Sequence, residues 1–164
     1  MKTSKTYIFD IDGTLSRVHP ARLKHIQKPD GLVHFEQGET DWKPDWESFY
    51  ALAAQDEPIA ETVAIAKALH ESGHNIVYLT GRPENNREIT EHWLFEKAGC
   101  PYGELYMRSV GDYRPDYEIK KEIYDRVLKN VYNDIVGVFE DRDRVVSMWR
   151  KLGLTCYQVG DGLY

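Results

Sequence analysis

Cysteine is nearly absent: Cys100 and Cys156 are the only two among 164 residues, and they form no Cys-x-x-Cys pair. That excludes a disulfide framework, offers no zinc site, fits a reducing compartment, and leaves both thiols as small buried apolar groups. Positive charge is also scarce. Lys and Arg number 21 against 27 Asp and Glu, for a formal net charge of -6 and a pI of about 5.5. No global field therefore draws the chain to nucleic acid or to an anionic membrane, and a polyanionic substrate must be held by a local cluster of Arg and Lys. No apolar run approaches membrane-spanning length, and Met1-Lys2-Thr3-Ser4-Lys5-Thr6 lacks the apolar stretch of a signal peptide. A soluble, cytoplasmic protein with no membrane partner is expected. Several enzyme motifs are missing as well. There is no G-x-x-x-x-G-K-[ST] loop, so phosphorylation with ATP by that route is excluded, and neither G-x-G-x-x-G nor G-x-S-x-G occurs. The six histidines show no metal-ligand spacing, and His19, His25 and His34 are given no role.

What is present is a rhythm. Strand-like apolar runs cover Tyr7 to Asp10, Asn75 to Thr80, Glu104 to Met107, Ile135 to Phe139 and Thr155 to Val159. Helix-like spacing covers Ile59 to Ser72, Glu84 to Ala98, Asp116 to Val131 and Arg142 to Leu152. Gly73, Gly99 and Gly153 follow three of these helices as left-handed caps, and Pro58 and Pro83 stand near two helix starts. Alternating strands and helices predict one α/β domain over residues 1–164, a mainly parallel sheet with helices on both faces. Ligands of such sheets bind at the carboxyl ends of the strands. Residues 16 to 57 break the rhythm with three prolines, three histidines and two tryptophans. A connection this long in a compact domain is a lid, a binding loop or disordered, and its aromatics favour a lid. Trp42 and Trp46, with Phe49 and Tyr50 beyond, predict a short helix packed on the core.

The most informative segment is Tyr7-Ile8-Phe9-Asp10-Ile11-Asp12-Gly13-Thr14-Leu15. Three apolar residues run straight into an acid, and burying Asp10 costs several kcal/mol unless it is paired or bound to a cation. Asp10 and Asp12 at a strand's carboxyl end can share a hard cation such as Mg²⁺, or divide labour as nucleophile and proton donor. Taken alone, the segment is equally well a strand end followed by an Asp-Gly turn. Thr80-Gly81-Arg82-Pro83 ends the second strand and opens a helix, where a hydroxyl, a backbone N–H and a guanidinium suit a phosphate dianion; alone it reads as a turn with a surface Arg. Within Asp116 to Val131 the stripe Ile119, Ile123, Val127 and Val131 leaves Lys120, rather than Lys121, bordering the buried face. The strand Val136-Gly137-Val138-Phe139 delivers Glu140 and Asp141, which read as further metal ligands, or Asp141 as a helix cap. Arg108 and Asp116 are weak signals by themselves.

The ordered set Asp10-x-Asp12-Gly13-Thr14, Thr80, Lys120 and Glu140-Asp141 resembles the haloacid dehalogenase superfamily of phosphohydrolases. The tail from Phe139-Glu140-Asp141-Arg142-Asp143 through Trp149 to Val159 resembles the 3′-phosphatase domain of phage-type polynucleotide kinase-phosphatase. The resemblance implies a Rossmann-like haloacid dehalogenase fold with 16–57 as a cap insertion. It also implies an Mg²⁺-dependent phosphatase that removes 3′-phosphates from polynucleotide ends or nucleotides. Asp10 would form an aspartyl-phosphate, Asp12 would act as acid and base, Thr80 would hold a phosphoryl oxygen, and Lys120 would neutralise nucleophile and phosphate. The metal would be held by Asp10, Asp12, Glu140 and Asp141, and Arg82, Arg108 and Asp116 would be substrate-site residues. Glu140 stands where the family commonly has Asp, and Arg17 and Arg22 compete for the position of an arginine shortly after the first motif. A nucleic-acid 3′ end or a nucleotide would be the substrate, with a separate kinase or ligase as partner. Two other readings remain: a phosphatase of small phosphomonoesters, and a non-catalytic module that pairs with a kinase or ligase.

Overall fold

The parallel sheet predicted from alternating apolar runs is present in the computed structural model, which describes residues 4–28 and 43–162. Its five strands are β1 (Thr6–Phe9), β4 (Asn75–Pro83), β5 (Glu104–Arg108), β6 (Ile135–Glu140) and β7 (Cys156–Gln158). They lie in the order β5-β4-β1-β6-β7, every neighbouring pair parallel. β1 is the centre, flanked by β4 and β6. The chain therefore winds outward one way through β4 and β5 and then restarts on the other side at β6. Such a reversal opens a crevice at the carboxyl ends of the central strands.

Successive residues of each strand point to opposite faces, and both faces are apolar, as a sheet covered twice requires. Phe9, Ile76 and Tyr78 join one core with Val63, Ala66, Trp93 and Leu94. Ile8, Val77, Leu79 and Val138 join the other with Leu128, Val145, Val146 and Trp149. The first face is covered by α3 (Ala60–Glu71) and by α4 (Arg87–His92) with its π-helical extension Trp93–Lys97. The second is covered by α5 (Asp116–Ile123), a π-helical turn over Tyr124–Leu128, α6 (Lys129–Val131) and α7 (Asp143–Lys151). Cys100 and Cys156 are free and buried, and Gly73, Gly99 and Gly153 hold the positive φ of left-handed caps.

Three features differ from the sequence expectation. The apolar stripe after Ile123 slips by one residue: Leu128 is fully buried, whereas Val131 is 58% exposed. A π turn adds a residue to the helical repeat and rotates the residues beyond it, so a strict four-residue spacing runs off the buried face. β4 continues through Gly81 and Arg82 to Pro83 instead of ending at Thr80, but its register with β5 breaks between Leu79 and Pro83. Such irregularities re-aim side chains beside functional sites. Finally, β2 (Ser16–Arg17) and β3 (Glu57–Pro58) pair antiparallel and draw the two ends of the 16–57 segment together.

Inside that segment α1 (Pro20–Leu23) and α2 (Trp46–Ala51) build a small core of Val18, Ile26 and Phe49, with Leu23, Trp46 and Tyr50 against it. The aromatic helix is present over Trp46–Ala51; Trp42 and His34 lie outside the described residues. Among the described residues no helix is long and apolar enough to cross a membrane.

Candidate active site

β1 hands Asp10 to the carboxyl edge of the sheet, where the Asp10 N–H still donates to the Phe139 carbonyl of β6 at 3.0 Å. The chain then folds back on itself. The N–H groups of Thr14, Leu15 and Ser16 all donate to the Ile11 carbonyl, and Gly13 takes φ 84°. This tight turn separates the two acids and sends them to different partners.

Asp10 faces a lysine. Lys120 of α5 is 1% exposed, and its Nζ lies 2.7 Å from Asp10 Oδ1, 2.7 Å from Glu140 Oε2 and 3.2 Å from Asp116 Oδ2. Burial lowers the proton affinity of Lys120, but Asp10, Asp116 and Glu140 outweigh it and hold the lysine charged well above its ordinary range. Asp10 is pushed well above the usual carboxylate range by burial and by the neighbouring Glu140, with Lys120 opposing. Asp141 is pushed up to about 7 by burial and by Glu140. Three acids on two strand ends thus form a buried, electron-rich rim with one ammonium among them.

Asp12 faces arginines. Arg82 of β4 grips it through Nε at 2.8 Å and Nη2 at 2.6 Å, and Arg22 of α1 through Nη1 at 2.9 Å. Burial would raise the Asp12 carboxyl, but Arg22 and Arg82 overcome it and hold Asp12 far below the usual range, ionised and accepting. Behind the arginines lies Asp56, fully buried, with Oδ2 against Arg22 Nη1 and 3.3 Å from Arg82 Nη2. Of the two arginines that compete in the sequence, Arg22 is the buried one; Arg17 is exposed.

A third group closes the mouth. Arg108 donates from Nε to the Gly81 carbonyl at 2.8 Å and from Nη1 to the Asp112 and Arg114 carbonyls at 2.9 and 2.6 Å. Arg108 Nη2 and Arg142 Nη1 each stand 3.7 Å from an Asp116 oxygen. Burial raises Asp116, and Lys120, Arg142 and Arg108 together bring it below its ordinary value. A Cβ on Gly81 would fall 2.4 Å from Asp116 Oδ1, so a side chain here would displace the Asp116 carboxylate. The Thr80 hydroxyl is buried and accepts the Arg82 N–H at 3.2 Å. Tyr50 of α2 reaches the same place, its hydroxyl 3.5 Å from the Gly81 carbonyl and its titration pushed up to about 12 by burial and then Asp12.

The rim suits a hard divalent cation. One oxygen from each of Asp10, Glu140 and Asp141 lies within 4.8 Å of the others, and all three residues are buried. Asp141 Oδ2 is buried without a hydrogen-bond partner, which is costly in the protein alone. Glu140, by contrast, has both oxygens engaged. Oε2 accepts from Lys120, and Oε1 accepts from the main-chain N–H groups of Asp141 and Arg142 at 3.1 and 3.3 Å. Its longer arm reaches the lysine and the turn.

The nine residues singled out in the sequence all fall at this edge. Asp10, Lys120, Glu140 and Asp141 meet in one cluster, and Asp12 meets Arg82 in another. Thr80, Arg108 and Asp116 lie around Gly81. Sequence reasoning missed Asp56 and Tyr50 as contributors, because an acid before Pro58 reads as a helix lead-in and a tyrosine among aromatics reads as core.

Comparison with known proteins fits this geometry. The family description of the polynucleotide kinase PNKP phosphatase domain matches residues 45–164. A protein of Autographa californica nuclear polyhedrosis virus, provisionally named a bifunctional polynucleotide kinase/RNA ligase, is 31% identical over 114 residues, 66% of this chain and 16% of its own length. A Bacillus cereus protein provisionally named a nucleotidase is 33% identical over 110 residues, 55% of this chain and 57% of its own. Among solved structures, a chain of the Pnkp1/Rnl/Hen1 complex matches with a TM-score of 0.75 and 30% identity over 98% of this chain and 47% of that one. The class C acid phosphatase of Bacillus anthracis shares the fold, with a TM-score of 0.65 at 17% identity. This chain therefore spans less than half of the viral protein and of the repair-complex chain. With the match reaching from the aromatic helix α2 to the last residue, and acids, lysine and arginines gathered at one sheet edge, the chain belongs to the PNKP phosphatase-domain family and is a phosphomonoester hydrolase of the haloacid dehalogenase fold.

Proposed function

We propose that the chain is an Mg²⁺-dependent phosphatase that removes 3′-phosphates from polynucleotide ends or nucleotides through an aspartyl-phosphate on Asp10. The observation that carries this reading is the division between the two acids of the first turn: Asp10 beside Lys120 and the acidic rim, Asp12 clamped by two arginines. The Asp10 carboxylate attacks phosphorus, the bond to the sugar oxygen breaks, and Asp12 delivers a proton to that oxygen. Water then attacks the phosphoryl group while Asp12 takes up its proton, releasing inorganic phosphate and the free Asp10 carboxylate. Lys120 offsets the charge on nucleophile and phosphate, and the Thr80 hydroxyl holds a phosphoryl oxygen. A phosphate dianion competes with Asp12 for Arg82; drawing that guanidinium away raises the proton affinity of Asp12 when it is needed. Arg108 and Asp116 border the entrance for the rest of the substrate.

Asp10 and Asp141 would hold Mg²⁺ through carboxylate oxygens and Asp12 through its main-chain carbonyl, with Glu140 bracing the rim. The ion, when bound, supplies positive charge that offsets the crowded carboxylates and the phosphate. The 16–57 segment acts as a lid, a reading supported by Tyr50 reaching Gly81 and Arg22 reaching Asp12. The likeness to a chain of the Pnkp1/Rnl/Hen1 complex and to a polynucleotide kinase/RNA ligase supports a separate kinase or ligase as partner; a cytoplasmic location is part of the same proposal.

A second reading, a phosphatase of free mononucleotides, is favoured by the net charge of -6, since polynucleotide affinity rests on several phosphate contacts. One panel separates them: a 3′-phosphorylated oligonucleotide, its 5′-phosphorylated isomer and a nucleoside 3′-monophosphate, each with Mg²⁺ and with EDTA. The proposal expects 3′-phosphate release abolished by EDTA. Faster turnover of the mononucleotide supports the second reading, and equal turnover of the 5′-phosphorylated strand refutes the 3′ assignment.

A further inference from the structure

The rim around Asp10 leaves one fully buried acid unexplained. Asp56 ends the 16–57 segment just before β3, and one of its oxygens mirrors one of Asp12. Arg22 Nη1 bridges Asp12 Oδ1 at 2.9 Å and Asp56 Oδ2. Arg82 Nη2 bridges the same pair at 2.6 and 3.3 Å, and the Ser16 hydroxyl stands 3.3 Å from both. The other Asp56 oxygen accepts the His19 N–H at 2.8 Å, and the Trp93 indole N–H donates to the Asp56 carbonyl at 2.8 Å. Arg22 is held again from behind: its Nε donates to the Phe49 carbonyl at 2.9 Å and its guanidinium lies 4.1 Å over the Phe49 ring.

We infer that Asp56 is a positioning residue for the acid–base step: it anchors the Arg22–Arg82 pair that orients the Asp12 carboxyl. This role rests on the assignment of proton transfer to Asp12. Two guanidiniums buried with one carboxylate would leave an uncompensated positive charge; with Asp56 the quartet is neutral. When Asp12 is protonated or loses Arg82 to phosphate, its grip on the arginines weakens, and Asp56 remains as their anion. Arg22 then stays in place through both half-reactions, and Arg82 keeps an anion to return to when phosphate leaves. Arg22 and Asp56, both outside the parallel sheet, thereby supply part of the proton-transfer machinery.

A purely structural role would lower activity on every substrate alike. A positioning role shows in the leaving group, because an alkoxide needs a proton as it departs and p-nitrophenolate does not. The test compares kcat/KM on a nucleoside 3′-monophosphate and on p-nitrophenyl phosphate, with Mg²⁺, for the full chain and its Asp12→Asn and Asp56→Asn variants. The ratio of the two values is independent of the folded fraction. Asp12→Asn is expected to lose roughly 10²–10⁴-fold on the alkyl ester and far less on the aryl ester. Asp56→Asn is expected to show the same bias, about 10²-fold on the alkyl ester, as for a displaced catalytic group. Equal losses on both esters in Asp56→Asn, with the bias present in Asp12→Asn, overturn the role of Asp56 alone. No bias in Asp12→Asn overturns the acid assignment itself. Should Asp56→Asn give no folded protein, Asp56→Glu keeps the charge on a longer arm and takes its place: an alkyl-ester bias supports the role, and equal losses overturn it.

Discussion

Replacing Lys120 by Met removes the ammonium that three carboxylates share and keeps a similar side-chain volume. Lys120 is 1% exposed and contacts Asp10, Glu140 and Asp116 at 2.7, 2.7 and 3.2 Å. Removing one partner of a buried ion pair costs roughly 3–5 kcal/mol, because the other charge stays buried without compensation. For a chain of this size each kcal/mol shifts Tm by about 2–4 °C, so the expected fall at pH 8 in EDTA is roughly 6–20 °C. The loss must depend on pH. Asp10 already titrates well above its ordinary value, from burial and from Glu140, and loses its opposing cation in the variant. A carboxyl raised in the folded state binds its proton where the unfolded chain has released it, so stability falls as pH rises from about 4 towards the folded value. The gap between parent and Lys120→Met therefore widens from pH 5 to pH 8, where the variant can no longer relieve itself by protonation. Thermal and urea melts in EDTA at the two pH values measure it. A loss below about 1 kcal/mol at pH 8, the size of a surface pair, would refute the reasoning. So would a gap that shrinks as pH rises.

Other consequences are equally direct. Arg22→Ala should cost roughly 3–5 kcal/mol in urea unfolding, as a buried charge partner, while the exposed Arg17→Ala stays within about 0.5 kcal/mol; similar losses would show that the sequence alternatives were not resolved by burial. A Cβ on Gly103 would fall 2.1 Å from the Ile76 carbonyl oxygen, so Gly103→Ala must push the main chain of β4 aside. An overpacking cost of about 1–3 kcal/mol should appear as a lower Tm, and an unchanged Tm contradicts the close approach. Asp141, pushed up to about 7, is protonated at pH 5.5 and ionised at pH 8. Calorimetry should find Mg²⁺ bound more tightly at pH 8, with proton release on binding near pH 6; equal affinity at both values removes Asp141 from the metal site.

Much of the fold is written locally. Continuous apolar runs and helical apolar spacing placed β1, β4, β5, β6 and β7 and the helical stretches between them to within a few residues. The motif acids could be found because a polar residue ending a fully apolar strand is costly without a partner. Where expectation and structure part, a local rule met a geometric exception. The π turn at Tyr124–Leu128 moved burial from Val131 to Leu128, and the strand expected to stop at Thr80 ran on to Pro83 with a broken register. The spacing beside a helix start marks Arg82 as a phosphate ligand but gives no sign of its contacts with Asp12 and Asp56, which only the structure shows.

Sequence by itself determined which strands build the parallel sheet, that both its faces are covered, and that acids gather at one edge, since each follows from spacing over a few residues. Only the tertiary structure decided which charges meet. Lys120 reaches Asp10 across 110 positions and Arg82 reaches Asp12 across 70, and Asp56 acquires a role because the β2–β3 ribbon carries it beneath Arg22. Coulomb pairing inside a protein depends on distance in space and on exclusion of water. Neither quantity is set until the chain has closed around the pair.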